Sequence, residues 1–269
     1  MNDIALGQYY PTNSILHQLD PRVKFVGTLV YIICLFLVKG PLGYLFCCLV
    51  LAALVMLSKV PARLVLKSLK PVLFILVITM MFNIFLTPGE VTWHWGILRV
   101  TKEGILTAVK MGVRLTFLVT GSSVMTLTTT PNALTDGMEK LFGFLKKVRV
   151  PVHEISMMMS IALRFIPILM EETDKIRKAQ IARGADFESG NLIARAKAMI
   201  PILIPLFVSA FRRADELAMA MESRCYHGGE GRTKLHQLKF KTGDLLAVLI
   251  TLAFIVFILL MQRFFPGLI

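Results

Sequence analysis

Long apolar segments are the feature that most constrains how this chain can fold. A transmembrane helix needs about 20 predominantly apolar residues, and residues 245–265 form the cleanest such segment. The composition agrees, because 55% of the 269 residues are hydrophobic and only 17% are charged, whereas soluble domains carry about 25% charged residues. The sequence therefore excludes an ordinary soluble domain and predicts an all-α integral membrane protein.

Further apolar runs precede this segment, the first two of them short for a membrane-spanning helix. They comprise residues 25–38, 42–57, 72–86 and 104–127. The first two are separated by Lys39, Gly40 and Pro41, a combination that predicts a tight hairpin. Together with the C-terminal segment, these runs predict about five transmembrane helices.

Basic residues indicate which loops face the cytoplasm, because short loops rich in Lys and Arg stay on that side of the membrane. Arg22 and Lys24 precede the first apolar run and predict a cytoplasmic N-terminus. Trp93 and Trp95 are typical of an outer interfacial loop. The connection between the second and third runs is predicted to be cytoplasmic by its basic residues, Lys59, Arg63, Lys67 and Lys70. An odd number of spans then predicts an outer C-terminus.

Two further apolar stretches, at residues 155–170 and 199–210, are apolar enough to suggest additional spans. If both crossed the membrane, the basic segment between them would face outward, against the positive-inside pattern. That segment contains Lys175, Arg177, Lys178, Arg183, Arg195 and Lys197. We therefore expect residues 130–241 to lie on the cytoplasmic side, with their apolar stretches packed against the membrane helices or entering the membrane interface.

This interpretation divides the chain into three parts. Residues 1–129 form a membrane region with four transmembrane helices, residues 130–241 form the cytoplasmic region, and residues 242–269 form the C-terminal transmembrane helix. Within the cytoplasmic region, the charged stretch that follows Pro131 predicts an amphipathic helix ending in a basic patch near Arg149, which anionic lipid headgroups would attract. Kinks or helix ends are predicted at Pro167, Pro201 and Pro205.

Two segments of the cytoplasmic region resemble each other when Arg183 is aligned with Arg224. The alignment also places Asp174 on Asp215, Ile176 on Leu217, Ala179 on Ala220 and Ala182 on Ser223. Glycine follows each segment, as is typical where a helix stops. A single Arg in a last helical turn is explained by the helix dipole. Two at matching positions favour a paired function, and a guanidinium suits an acidic socket because it can bond a carboxylate bidentately.

The chain resembles the transmembrane coupling subunit, or T component, of energy-coupling factor transporters. The resemblance rests on the opening motifs and both arginine signatures, and it covers essentially the whole chain. The residues that carry it are Tyr9-Tyr10-Pro11, Ser14-Ile15-Leu16-His17, Leu19-Asp20-Pro21-Arg22-Val23-Lys24, Ala182-Arg183-Gly184 and Ser223-Arg224-Cys225-Tyr226.

The resemblance implies a non-catalytic subunit of an ATP-driven uptake transporter for vitamins or micronutrients, in the cell membrane of a prokaryote. Long cytoplasmic coupling helices would dock on two ABC-type ATPases and would reorient a small substrate-binding membrane protein, the S component, of which several could share this subunit. No cofactor or metal is implied. The implied ATPase-binding residues are Ala182, Arg183, Gly184, Ser223, Arg224 and Cys225.

Several features allow two interpretations from sequence alone. Gly104, Ala108 and Gly112 form a ridge of small residues that permits close helix approach, either to the substrate-binding subunit or within the chain. Lys110 and Arg114 would line an interface, pair with carboxylates, or reach toward headgroups. The numerous methionines of the coupling region either form an adaptable surface or fill a core.

Other classes of function find less support in the sequence. The chain has no G-x-x-x-x-G-K-[ST] run that could cradle ATP phosphates and no hydrolase or metalloprotease motif. The histidines match no zinc spacing, and topology and acidic lipids rather than nucleic acid account for the net charge of +13. The main alternative is a stand-alone secondary transporter, which would show an inverted repeat and ionisable residues at mid-span. A membrane enzyme is a third possibility without a visible catalytic group.

Overall fold

The computed structural model describes residues 9–38, 40–95, 98–187, 189, 191–229 and 238–264. Two compact units make up the chain: unit 1 contains residues 1–137 and 238–269, and unit 2 contains residues 138–237. In chain order the elements are α1 (Ile15–Gln18), α2 (Pro21–Leu37), α3 (Pro41–Ser58), α4 (Ala62–Lys67), α5 (Lys70–Leu86), β1 (Val91–Trp95), β2 (Leu98–Thr101), α6 (Lys102–Thr128), α7 (Pro131–Leu141), a 3-10 segment (Phe142–Val148), α8 (Val152–Ala182), α9 (Leu192–Glu222) and α10 (Thr242–Phe264).

The predicted all-α architecture is confirmed, and the five predicted spans coincide with α2, α3, α5, α6 and α10 to within a few residues. Proline lies in the first turn of α2, α3 and α5, where its missing N–H would have no helical partner in any case. The hairpin break between α2 and α3 is also confirmed, with Gly40 as the residue that precedes α3. Lys39 lies outside the described residues.

Length and hydropathy select a different set of five helices as able to cross a membrane. This set is α3, α6, α8, α9 and α10. The predicted spans α2 and α5 have 17 residues each, or about 25 Å of helix, at the lower limit for a span. The long helices α8 and α9 are included in this set, whereas the sequence predicts that they lie in the cytoplasmic region.

The core of unit 1 forms where α2, α3 and α10 meet. Leu35, Val38 and Cys47 are completely shielded from solvent. Aromatic rings join the three helices, with the Phe254 ring 6.2 Å from that of Tyr31 and 5.6 Å from that of Phe46, both in stacked arrangements. These contacts hold α2, α3 and α10 side by side.

A buried polar network fastens the start of α2 to the start of α10. Asp244 is 1% exposed, and its carboxylate accepts hydrogen bonds from the backbone N–H of Asp20 at 2.7 Å and of Lys241 at 2.8 Å. The Asp20 carboxylate in turn accepts from the backbone and the guanidinium of Arg22. Lys24 Nζ donates to the carbonyls of His17 and Thr128. The opening motifs of the sequence therefore hold three helix ends of unit 1 together.

Arg114 makes its contacts within the chain. Its Nη2 donates to the Val38 carbonyl at 3.0 Å, at the C-terminal end of α2, where the helix dipole favours a positive charge. The guanidinium carbon lies 5.5 Å from the Phe36 ring centre and 5.9 Å from that of Tyr44. The sequence expected a carboxylate partner, a protein interface or the lipid headgroups, whereas the structure shows a backbone carbonyl cap flanked by aromatic rings.

The predicted outer loop contains a β-hairpin. Strands β1 and β2 pair antiparallel, with Val91 opposite Thr101 and Trp95 opposite Leu98. Gly96 lies outside the described residues. Thr101 ends the hairpin and caps α6, because its Oγ1 accepts a hydrogen bond from the Gly104 N–H at 3.1 Å.

Unit 2 begins with the end of α7 and the 3-10 segment, followed by the helical pair α8 and α9. The single amphipathic helix predicted after Pro131 is divided, since the α-helix ends at Leu141 and continues as the 3-10 segment. Pro167 lies inside α8, and Pro201 and Pro205 lie inside α9. None of the three prolines ends a helix, which corrects that part of the prediction.

Candidate functional site

The first arginine signature ends α8 in a hydrogen-bonded helix-terminating turn. Gly184 has a φ of +87°, a left-handed conformation that glycine adopts without steric cost. The Ala185 N–H donates to the Gln180 carbonyl at 3.0 Å, and the Gly184 N–H donates to the Ile181 carbonyl at 2.9 Å. This pair of bonds defines a Schellman motif, and Arg183 is the residue just before its left-handed position.

The second signature ends α9 in the same way, but without glycine. Cys225 takes the left-handed position with a φ of 55°. The Tyr226 N–H donates to the Met221 carbonyl at 3.1 Å, and the Cys225 N–H donates to the Glu222 carbonyl at 2.9 Å. The expected glycine stop is therefore right for the first signature and wrong for the second. The alignment of Arg183 with Arg224 nevertheless corresponds to equivalent positions in two equivalent turns.

Both signature arginines face solvent. The side chains of Arg183 and Arg224 are exposed, as are the flanking residues Ala182, Ser223 and Cys225. Within the described ranges, neither guanidinium makes a side-chain hydrogen bond or salt bridge. Two guanidinium groups on ordered helix ends are thus free to bind groups from outside the chain.

The two signatures lie at opposite ends of an antiparallel helix pair. Near the end of α8, Gln180 Nε2 donates to the Pro201 carbonyl at 3.5 Å. Further from that end, Glu172 accepts from the Arg213 guanidinium at 3.1 Å. Because Gln180 lies opposite Pro201, Arg183 is level with a part of α9 about 26 residues before Arg224, and at about 1.5 Å per residue the two signatures are about 40 Å apart.

The faces of α8 and α9 that are not in mutual contact are apolar and uncovered. Only 11% of the apolar 18-residue stretch of α8 is buried, and only 6% of the corresponding stretch of α9. Methionines contribute to this surface, and Met158, Met159, Met199 and Met219 are each about half exposed or more. These side chains do not fill the core of the chain, which favours the adaptable surface over the core-filling alternative. Exposed apolar surface of this extent indicates a partner or a lipid environment.

The ridge formed by Gly104, Ala108 and Gly112 packs against α5. A side-chain carbon at Gly104 would lie 2.9 Å from the Ile84 carbonyl oxygen, and one at Gly112 would lie 3.0 Å from the Met80 sulfur. Ala108 is 1% exposed. Of the two interpretations left open by the sequence, the structure shows the packing within the chain.

Two groups of side chains that join helices had no clear signal in the sequence. In unit 2, Glu139 accepts hydrogen bonds from His153 Nδ1 and Ser156 Oγ, both at 2.8 Å, and so ties α7 to the first turns of α8. In unit 1, Asp244 binds Asp20, which precedes it by 224 residues. The only sequence signal for Asp244 is an acidic residue at the start of an otherwise apolar helix, which is also explained by the helix dipole.

Comparison with known proteins identifies the class of protein. Residues 12–235 match the CbiQ family, described as "Cobalt transport protein". Proteins named energy-coupling factor transporter transmembrane protein EcfT are similar over almost the whole chain. The one from Ruminiclostridium cellulolyticum is 55% identical over 265 residues, covering 98% of this chain and 99% of its own length.

Two further relatives from other organisms carry the same name. The protein of Acidaminococcus fermentans is 53% identical over 269 residues, with 99% of this chain and 100% of its own length covered. That of Bacillus subtilis is 44% identical over 262 residues, with 96% and 99% covered. The chain belongs to the CbiQ/EcfT family, the transmembrane components of energy-coupling factor transporters. The resemblance inferred from the opening motifs and the arginine signatures is confirmed, and the chain is a multi-pass membrane protein.

Proposed function

We propose that this chain is the non-catalytic coupling subunit of an ATP-driven uptake transporter for vitamins or micronutrients. Two ABC-type ATPases bind its cytoplasmic helix ends, and a small substrate-binding membrane protein, the S component, contacts its helices. The observation that carries the proposal is the pair of equivalent, exposed arginine turns at the two ends of α8 and α9. A single ordered Arg would be explained by the helix dipole, whereas a duplicated turn suits two similar sockets.

The separation of the two turns supports two ATPase subunits rather than one. A spacing of about 40 Å exceeds what a single acidic pocket can contact, so each arginine meets its own partner. An acidic groove on each ATPase would bind the guanidinium bidentately. Movement of the two ATPases relative to each other would then act on both ends of the α8–α9 pair.

The uncovered apolar faces of α8 and α9 are the surface that we assign to the substrate-binding subunit. Met158, Met159 and Met199 lie on these faces, and flexible thioether side chains adapt to partners of different shape. This favours a subunit shared among several substrate-binding proteins over one with a dedicated partner. Recognition of the vitamin itself belongs to the partner.

Charge reversal at the two arginines tests the proposal directly. We expect Arg183→Glu and Arg224→Glu each to weaken ATPase binding by on the order of 100-fold, because removing one partner of an interfacial charge pair costs about 2–5 kcal/mol. The double variant should lose both ATPases while remaining inserted in the membrane. The measurement is co-purification in mild detergent of the chain with the ABC-type ATPase pair of its own organism, followed by affinity titration.

The matched control reverses two exposed arginines elsewhere on α9, Arg195→Glu with Arg212→Glu. This control changes the net charge by the same amount and should retain both ATPases. Equal binding by the signature variant and the control would refute the assigned role. A chain that purifies alone, folded and without ATPases, would favour a stand-alone secondary transporter.

The proposal also requires that both helix ends face the cytoplasm. Because the bilayer core is about 30 Å thick, a membrane-spanning α8–α9 hairpin would place Arg183 and Arg224 on opposite sides. Cys225 is exposed and reports on the second end, and an Arg183→Cys variant reports on the first. We expect an impermeant maleimide to label both positions only in inside-out vesicles, in a Cys48→Ala background. Labelling of one position from each side would show that α8 and α9 span the membrane.

A further inference from the structure

The 3-10 segment (Phe142–Val148) and the adjacent Arg149 combine exposed apolar and basic side chains. Phe144 is 63% exposed and Val148 is 71% exposed. Lys146, Lys147 and Arg149 are exposed as well. Large apolar side chains between basic ones are the pattern of a segment that lies in the lipid headgroup region, where the apolar groups enter the acyl boundary and the basic groups meet phosphates.

The charge of this segment is not balanced within the chain. Residues 141–150 contain no Asp or Glu. Among the described residues, Lys146, Lys147 and Arg149 take part in no side-chain hydrogen bond or salt bridge. Three unpaired cations on a short segment attract an anionic surface, and each is worth about 1 kcal/mol near an anionic membrane, or about five-fold in partition.

In the sequence, the 3-10 segment closely follows a residue that packs against the first turn of α2, the end of α2 that the sequence predicts to be cytoplasmic. Gly137 of α7 lies against the first turn of α2, where an added side-chain carbon would be 3.0 Å from Pro21 Cβ. The 3-10 segment starts five residues later in the sequence. The segment is therefore joined along the chain, by only a few residues, to a residue that packs against α2.

The segment is also fastened to the start of α8. Glu139, before the segment, accepts hydrogen bonds from His153 and Ser156, after it. His153 is itself covered by the chain that follows the second arginine signature, because a side-chain carbon at Gly229 would meet its ring. The two flanks of the segment are thus joined by short contacts, and its position fixes the position of the beginning of α8.

We propose that residues 142–149 bind the anionic phospholipid surface of the cytoplasmic leaflet and hold the beginning of α8 there. Phe144 and Val148 enter the headgroup region, and Lys146, Lys147 and Arg149 bind lipid phosphates. The role is distinct from ATPase docking, because the segment contains neither arginine signature. It provides a fixed point for a helix whose other end is proposed to be moved by a partner.

The test uses an environment-sensitive bimane attached to Val148→Cys in the full chain, with Cys48→Ala and Cys225→Asn removing the exposed native cysteines. The chain is reconstituted into vesicles of phosphatidylcholine alone or with 30% phosphatidylglycerol, and quenching by nitroxide-labelled lipid is measured. We expect strong quenching in the anionic vesicles and weak quenching in the neutral ones. Addition of Lys146→Gln, Lys147→Gln and Arg149→Gln should weaken the association by on the order of 100-fold and abolish the difference.

The matched control neutralises three exposed lysines of the helical pair, Lys175→Gln, Lys178→Gln and Lys197→Gln, and should leave the quenching unchanged. Raising the salt to about 1 M, where the Debye length is about 3 Å, should mimic the neutralised segment. Equal quenching in both vesicle types, or none in either, overturns the proposal. A bimane response to the ATPase subunits in detergent without one to lipid would assign the surface to a protein and overturn it too. Because no ATPase is needed for the lipid measurement, its outcome is independent of the function proposed above.

Discussion

At the scale of single residues, Asp244 is central to unit 1 because it joins the start of α2 to the start of α10. Its two carboxylate oxygens accept one backbone N–H each, from Asp20 and Lys241, in a site that is 1% exposed. Both donors would otherwise be unsatisfied at a helix start, and burial makes an unsatisfied donor costly. The same carboxylate therefore positions the leader and begins the last helix.

We expect Asp244→Asn to destabilise unit 1 by about 1–3 kcal/mol, because the amide group of Asn presents a donor to one of the two N–H donors. The measurement is the thermal unfolding temperature of the purified chain in detergent. The control is Asp174→Asn, an exposed acidic residue of α8, which should leave the unfolding temperature unchanged. An unaltered temperature for Asp244→Asn would show that the network is dispensable.

At the scale of elements, the two arginine turns show how different residues produce the same helix end. Gly184 and Cys225 occupy equivalent left-handed positions, and only the first is free of steric cost. The helix end of α8 is therefore relaxed, whereas that of α9 retains local strain. This asymmetry does not depend on side-chain exposure and follows from the backbone alone.

We expect substitutions at Gly184 and Cys225 to change the stability of the two helix ends in opposite directions. Gly184→Ala should destabilise the end of α8 by about 1 kcal/mol, which corresponds to about five-fold faster hydrogen exchange of the Gly184 and Ala185 amides. Cys225→Gly should slow exchange at Cys225 and Tyr226, because it removes the strain. Hydrogen exchange read by mass spectrometry measures both. Gly143→Ala serves as the control, since its added carbon would meet nothing within 4 Å, and a shared direction of change in both test variants would contradict the assignment.

The elements that could be predicted from sequence are those specified by local composition. Apolar runs bounded by proline and basic residues located α2, α3, α5, α6 and α10 to within a few residues. The β-hairpin of β1 and β2 was missed because short strands between spans have no strong periodicity. The change to a 3-10 segment at Phe142 was missed for a related reason, since helix type within a polar stretch depends on packing of the ends rather than on propensity.

Only part of the candidate functional site could be predicted from the sequence. Duplication of Ala and Arg at fixed offsets revealed the two signatures, because helix ends are encoded within a few residues. The contacts of Asp20 with Asp244 and of Gly104 with α5 could not be read, because they join residues brought together by the tertiary fold. The small-residue ridge was equally compatible with a partner, and only the position of α5 decides the question.

At the scale of the whole molecule, unit 1 is discontinuous in sequence and unit 2 is an insertion within it. The chain leaves and re-enters unit 1 at one place. A side-chain carbon at Gly137 would lie 3.4 Å from the backbone nitrogen of Arg22, and the Arg22 guanidinium lies 4.8 Å from the centre of the Phe240 ring. Unit 1 thus has a core of its own that unit 2 does not interrupt.

Replacement of residues 138–237 by a flexible linker of about six Gly and Ser residues, which spans about 13 Å, tests this organisation. We expect the shortened chain to insert and to unfold cooperatively, because every contact of the Asp20–Asp244 network is retained, but to bind no ATPase. The measurements are membrane extraction, thermal unfolding and ATPase co-purification. The full-length Arg183→Glu and Arg224→Glu double variant is the reference for loss of ATPase binding with unit 2 present. Failure of the shortened chain to insert would show that unit 1 depends on unit 2.

The bond between Asp20 and Asp244 also sets an order of events during synthesis. The ribosome must make the whole of unit 2 before Asp244 and the last apolar helix emerge, so the first helices wait in the membrane with an unfinished polar site. A nascent chain that stops early exposes that site and the unpaired flank of α2. Only a chain that includes α10 can therefore complete the polar site and cover that flank of α2.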